Sequence, residues 1–258
     1  MPGKFVALRG PRDLASGRPW VDIKSSAGSF SHREFSPQYY VSILQSFNVQ
    51  AVVRLNEPKY DAADFVKGGI AVADLPFDDC TPPPPDVVAT FLTLAEALPG
   101  ALAVHCKSGL GRTGTLIALY MMKHHGFTAR EAMGWLRIVR PGSVIGPQQQ
   151  YLCDKEAVMH RAGEEFRRAG PRCPTQILNG ECGVEVVQRL IRETQCRVSG
   201  AMAKFSRKDA DPAAASVTAG SGAAAARELG VRVAASSLRR ASMRAAATAA
   251  LRRSSCVT

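Results

Sequence analysis

Residues 104–115 read VHCKSGLGRTGT, and the reading of this stretch decides the rest. The apolar run ALAVHC (101–106) contains no polar residue before His105 and ends in Cys106. Gly109 and Gly111 then space a loop with little bulk, and Arg112, Thr113 and Thr115 follow. A strand that stops, turns through glycines and starts a helix gathers unpaired backbone N–H groups at one point. Those donors and the positive end of the helix dipole make an anion site. Lys107, Ser108, Gly109, Leu110, Gly111 and Arg112 are expected to wrap the anion, with Arg112 offering a fork that matches two phosphate oxygens. The same field stabilises a thiolate on Cys106, since cysteines so placed fall from about 8.5 into the range of roughly 3.5–7.5. Thr113 is expected to give that thiolate a hydroxyl hydrogen bond. The competing reading is an inert buried cysteine beside an ordinary turn. The coincidence of H-C-x5-R-T with strand end, glycine turn and helix start favours a nucleophile.

Outward from this stretch, strand and helix signals alternate. KFVALRG (4–10), NVQAVVRLN (48–56) and GIAVADLPF (69–77) read as strands. Ser36-Pro37 marks a helix start over SPQYYVSILQSF, YDAADFVKGG (60–69) reads as a short helix stopped by glycines, and Pro85-Asp86 opens DVVATFLTLAEAL. GRTGTLIALYMMKHHG is a helix ending at Gly126, and Thr128 with Glu131 forms a capping box for TAREAMGWLRIVR. PQQQYLCDKEAVMHRAGEEF follows as a helix. The alternation predicts an α/β fold with a mainly parallel central sheet flanked by helices. The expected organisation is a catalytic domain over 1–170, an extra helix or linker over 171–197 (ILNGECGVEVVQRLIRET) and an Ala/Arg/Ser-rich tail over 198–258. The tail has too few large apolar residues to offset its ordering entropy and is expected to be disordered or transiently helical.

The 258 residues are 46% hydrophobic, which suffices for a sizeable core. The net charge of +11 is uneven: from Gln195 on there are eleven Lys/Arg against three Asp/Glu, leaving about +3 for the rest. The basic balance therefore describes mainly the tail, and argues poorly for a nucleic-acid enzyme. Seven cysteines, at 80, 106, 153, 173, 182, 196 and 256, show no C-x-x-C pair and no zinc-ligand spacing. The four-residue apolar run at the start is too short for a signal peptide, and GTLIALYMM is too short to span a membrane. A protein with free thiols in a reducing compartment, cytoplasmic or nuclear, is the expectation.

AVHCKSGLGRTGTLIALYMMKH and WLRIVRPGSVIGPQQQYL closely resemble the catalytic half of the cell-division-cycle-fourteen dual-specificity phosphatases, within the protein tyrosine phosphatase superfamily. KFVALRGP, NVQAVVRLNEPKYDAADF and DLPFDD follow the same run of segments, so the resemblance covers about residues 2–165. It implies a cysteine-phosphatase fold and two-step hydrolysis of phosphoprotein substrates through a cysteinyl-phosphate, with no metal and no cofactor. Proline-directed phosphoserine and phosphothreonine, with phosphotyrosine, are the implied substrates. In the family an aspartate acid stands 27 residues before the cysteine, which here is Asp79, beside Asp78 as a competitor and Asp86 as a more distant one. Cys80 replaces the usual glycine, and four prolines (82–85) stiffen a usually looser segment. Gln148 matches the glutamine that holds the hydrolytic water, with Gln149 a close alternative, and His105 is implied to tune the thiolate. Ser108 stands where alanine is common. Members usually carry a second, amino-terminal phosphatase-like domain with acidic residues at the junction. This sequence starts near the catalytic half and is expected to lose much of the preference for downstream Lys/Arg.

Two other readings compete. A tensin-type phosphoinositide phosphatase shares H-C-K-x-G-x-G-R-T, but typically has lysine where Leu110 stands here. A non-catalytic phosphopeptide-binding scaffold would be marked by loss of Cys106, Arg112 or the acid, and all three are present. LRRAS (238–242) and RRSS (252–255) resemble basophilic kinase sites. The basic tail is expected to contact acidic partners or nucleic acid weakly, with no aromatic residue after Phe205 to stack on bases.

Overall fold

The computed structural model describes residues 3–14, 17–170 and 183–210. In chain order the elements are β1 (Phe5–Arg9), β2 (Trp20–Lys24), β3 (Phe30–Phe35), α1 (Pro37–Ser46), β4 (Val49–Arg54), α2 (Ala63–Lys67) and β5 (Ala71–Asp74). They continue as α3 (Pro85–Ala97), β6 (Ala101–Cys106), α4 (Gly111–His125), α5 (Ala129–Val139), α6 (Pro147–Ala169) and α7 (Val184–Ala210). The chain divides into two compact units, Met1–Ser199 and Gly200–Thr258. Of the second, only the end of α7 is described.

β1, β6, β4 and β5 lie side by side in that order, every pair parallel. β6 is buried along its whole length and β4 nearly so. Continuous apolar runs such as AVV and ALAV suit a sheet covered on both faces, where an alternating strand would leave one face wet. Because the strands are parallel, all four carboxyl ends open on one edge. β6 is flanked there by Arg9 of β1 and Arg54 of β4, in register with Cys106 and His105. Ligands of open parallel sheets bind at such an edge, where the strand order reverses.

The helices start and stop near the expected signals. Thr128 and Glu131 make the capping box of α5, and Gly126 ends α4 at φ +68°, a conformation glycine adopts at no steric cost. Pro85 begins α3, so the proline run feeds directly into a helix. Ser36 stands at the start of α1 but makes no side-chain cap, and its buried hydroxyl has no partner. A separate antiparallel pair, β2 with β3, went unread in the sequence. Its strands are half-exposed, with Arg33 bonded to Asp22 and stacked 3.8 Å over Trp20.

α7 begins at Val184 and runs to Ala210, so helix crosses the expected boundary at residue 198. Val187, Ile191, Thr194 and Val198 are buried on one face of it. Gln188 lies against the free edge of β5, accepting from the Val72 N–H (3.1 Å) and donating to the Val72 carbonyl (3.0 Å). Residues 177–182 of the expected helix and the tail from 211 on lie outside the described residues. No described helix is long and apolar enough to cross a membrane.

Candidate active site

Cys106 ends β6 at the middle of the sheet, 1% exposed, and α4 starts at Gly111. Each carbonyl of the intervening loop is turned outward and bonded. The Cys106 carbonyl meets His105 Nδ1 (3.1 Å), and that of Lys107 accepts from Gly10 N–H (3.3 Å). Arg140 donates to the Ser108 (3.1 Å) and Gly109 (2.8 Å) carbonyls, and Gly114 N–H to that of Leu110 (2.9 Å). In a planar trans peptide the next N–H points the opposite way, so the amides of Lys107 through Gly111 face inward. This loop is a ring of donors around the sulfur, with the Gly109 N–H 3.3 Å from Cys106 Sγ.

Burial by itself would raise the Cys106 thiol. The nearby Thr113 side chain and the amides of Thr113, Leu110 and Gly109 outweigh it, and the thiol ionises below its ordinary range. The buried Thr113 hydroxyl makes no hydrogen bond among the described residues. Two glycines are required by space. Gly109 has φ +71°, and a Cβ there would collide with the Leu8 carbonyl; a Cβ on Gly10 would collide with the Cys106 carbonyl. The outer β-strand and the loop are thus pressed together with no room for a side chain.

His105 is 1% exposed. Its Nδ1 faces a carbonyl and so donates; burial, as the leading cause, lowers its pKa to about 4, so the ring is neutral and Nε2 accepts from the Tyr60 hydroxyl (2.8 Å). Behind Tyr60, Arg54 donates to the Tyr60 carbonyl (2.8 Å) and grips Asp74 with two bonds. Tyr60, Arg54, Asp74, Gly10 and Arg140 were not singled out in the sequence. Arg140 had a signal, since it opens the RPGSVIGPQQQ segment.

Arg112 is buried, and its Nη1 donates to the Leu55 (3.1 Å) and Phe77 (2.8 Å) carbonyls. One edge of the guanidinium is thereby anchored to the ends of β4 and of the segment after β5. Its Nε is buried without a hydrogen bond and lies 3.2 Å from Asp79 Oδ1. Asp79, with its side chain 58% exposed, also accepts from the Cys80 N–H (3.1 Å). Asp78 is exposed and contributes its carbonyl to the Thr81 hydroxyl, and Asp86 is exposed in the first turn of α3. Of the three candidate aspartates, the one that meets Arg112 is Asp79. Cys80 sits at φ +59°, which explains why a glycine is usual there.

Gln148 is fully buried in the first turn of α6, with Oε1 on the Ile145 N–H (3.3 Å) and Nε2 on the Thr81 carbonyl (3.0 Å). It touches Gly111 as well, where a Cβ would stand 2.9 Å from its Oε1. Gln148 therefore ties the aspartate loop to the start of α4. Gln149 instead accepts from Arg137. Lys107 and Ser108 are exposed at the rim, and Leu110 is half-buried.

A cysteine ringed by amides, with an arginine in the next turn and an aspartate beside that arginine, is the arrangement that the resemblance to the cysteine-dependent phosphatases implies. Residues 30–126 match the family described as "Tc-R-P: Polymorphic toxin system, DSP-PTPase phosphatase". The chain is 43% identical over 168 residues to mouse "Dual specificity protein phosphatase CDC14B", covering 65% of this chain and 32% of that one. Against human "Dual specificity protein phosphatase CDC14A" it is 45% identical over 167 residues, 65% of this chain and 26% of that one. With "Tyrosine-protein phosphatase CDC14" of Candida albicans the identity is 50% over 108 residues, 41% and 20% of the respective chains. The matched region is similar to these CDC14-named proteins and spans about a third or less of their length.

Proposed function

We propose that this chain is a metal-independent dual-specificity phosphoprotein phosphatase that acts through a cysteinyl-phosphate. The observation that carries the reading is the convergence of Cys106, the inward amide ring, Arg112 and Asp79. A phosphate bound in the ring places its phosphorus over the Cys106 thiolate, with the amides and the edge of Arg112 not bonded to Leu55 and Phe77 on the equatorial oxygens. The thiolate attacks phosphorus as the P–O bond to the substrate breaks, and Asp79 delivers a proton to the leaving oxygen. In the second step water attacks the phosphorus of the P–S bond. Asp79 takes the proton from that water, inorganic phosphate forms, and the sulfur leaves as thiolate with the Thr113 hydroxyl beside it. Gln148, which bridges the two loops, is assigned the orienting of that water. Neutral His105 holds the Cys106 carbonyl outward and takes no part in proton transfer.

Phosphoserine or phosphothreonine followed by proline, and phosphotyrosine, are the proposed substrates, by likeness to the dual-specificity relatives. The half-buried Leu110 argues against a phosphoinositide head group, which calls for an added cation in the loop. Steady-state hydrolysis of matched phosphoserine-proline, phosphotyrosine and phosphoinositide substrates, with EDTA present, tests this. Turnover of the protein-type substrates that disappears in Cys106→Ser is expected. Phosphopeptide binding with no turnover would instead mean a binding module.

A further inference from the structure

Beside the phosphate loop lies a set of charges that the chemistry above does not use. Arg9 pairs in register with Cys106 on the adjacent strand, so the two Cα atoms are about 4.8 Å apart. Its half-buried side chain makes no hydrogen bond or ion pair with the described residues. Arg140 is locked to the loop by its bonds to the Ser108 and Gly109 carbonyls, while its Nη1 has no protein partner among the described residues. Arg140 also lies against the end of β1: a Cβ on Gly109 would stand 3.0 Å from its Nη2 and would collide with the carbonyl of Leu8, the residue before Arg9. Exposed Lys107 adds a third cation without a carboxylate partner among the described residues. Glu34, on β3, is already engaged by Arg12 (3.3 Å) and His32 (3.5 Å), and Asp79 by Arg112.

Two arginines at the rim of the loop, Arg140 locked by backbone carbonyls and Arg9 on the adjacent strand without a partner among the described residues, with no carboxylate to neutralise them, have the composition of an anion site. We infer that Arg9 and Arg140 form a second anion subsite on the rim of the loop, which receives an acidic or phosphorylated residue flanking the phosphorylated one in a protein substrate. An extended peptide advances about 3.3–3.6 Å per residue, so a neighbouring side chain spans the step from loop to rim. The inference rests on the proposed function and adds the class of protein segment that the site selects. A rigid inositol ring would need its extra cation inside the loop, where Leu110 stands.

The test compares kcat/KM for phosphopeptides that differ in one residue beside the phosphorylated position: Asp or phosphoserine, Ala, or Lys. The wild-type chain, Arg9→Ala and Arg9→Glu are used, with para-nitrophenyl phosphate as the control for fold and chemistry. About a tenfold preference for the acidic neighbour over Ala is expected in the wild type. It should shrink to within about twofold in Arg9→Ala and reverse toward Lys in Arg9→Glu, with para-nitrophenyl phosphate turnover unchanged. A wild-type enzyme indifferent to the neighbour, or a preference that survives both substitutions, overturns the subsite. So does an Arg9-dependent preference for phosphoinositide vesicles over the peptides. If the wild type turns over nothing, the proposed function fails separately. Calorimetric binding of the same peptides to Cys106→Ser then still reads the subsite, and equal affinities for Asp and Ala peptides would reject it.

Discussion

The ends of β6 and the free edge of β5 belong to one sheet and are finished in opposite ways. At β6 the loop carbonyls are all bonded outward, so five successive amides turn inward toward the sulfur. At β5 the Val72 N–H and C=O are both taken by Gln188, 116 residues on, as a neighbouring strand would take them. Donors left open at the first edge are available to an anion; those closed at the second protect the sheet. The comparison predicts that damage at β6 removes chemistry with little loss of stability, while damage at β5 does the reverse.

The largest effect expected on the chemical side is that of Asp79→Asn. It should lower kcat by about 10²–10⁴ on an alkyl phosphoserine peptide, and much less on an aryl phosphate whose leaving group needs no proton. Thermal unfolding should barely move, since Asp79 is largely exposed. Equal losses on both substrates would show that another group supplies the proton.

Next in size is the acid sensitivity of His105, which belongs to both sides of the comparison. The free side chain takes up its proton near 6.5 and the buried one only near 4. Between these values the unfolded chain binds more protons, so stability falls as pH drops through that window, by up to about 3 kcal/mol. Urea midpoints at pH 7 and pH 4.5 should fall more in the wild type than in His105→Gln. Identical falls would mean the ring is not buried neutral.

Gln188→Leu should cost about 1–3 kcal/mol by leaving the Val72 groups unpaired, with kcat unchanged at a temperature where the protein is folded. A drop in kcat as large as that of Asp79→Asn would erase the distinction between the two edges. The smallest effect is Cys80→Gly, which relieves a left-handed residue and should stabilise by about 1 kcal/mol. It also frees the aspartate loop, so differential scanning calorimetry and KM together read the change.

Legibility followed the range of the interactions. The phosphate loop, the α5 capping box and the glycine stop of α4 were readable because each is set within a few residues. In the hairpin β2–β3 the strands bury little, β2 alternating only between exposed and half-buried positions, so its periodicity did not stand out. Asp79 and Gln148 came from resemblance and register; what placed one beside Arg112 and the other against Gly111 and Thr81 is packing between segments far apart in the chain. Arg9 and Arg140 were invisible as a pair, since 131 residues separate them and only the parallel pairing of β1 with β6 puts them on one rim.

By itself, then, the sequence marked the candidate nucleophile and the candidate anion cradle and determined the parallel α/β plan. All three rest on short-range backbone geometry and on apolar runs that have one way to be buried. The tertiary structure alone decided which aspartate faces the arginine, which tyrosine fixes the histidine and which glutamine closes the sheet. A side chain's partner across the fold depends on strand order and register, which no local pattern of residues encodes.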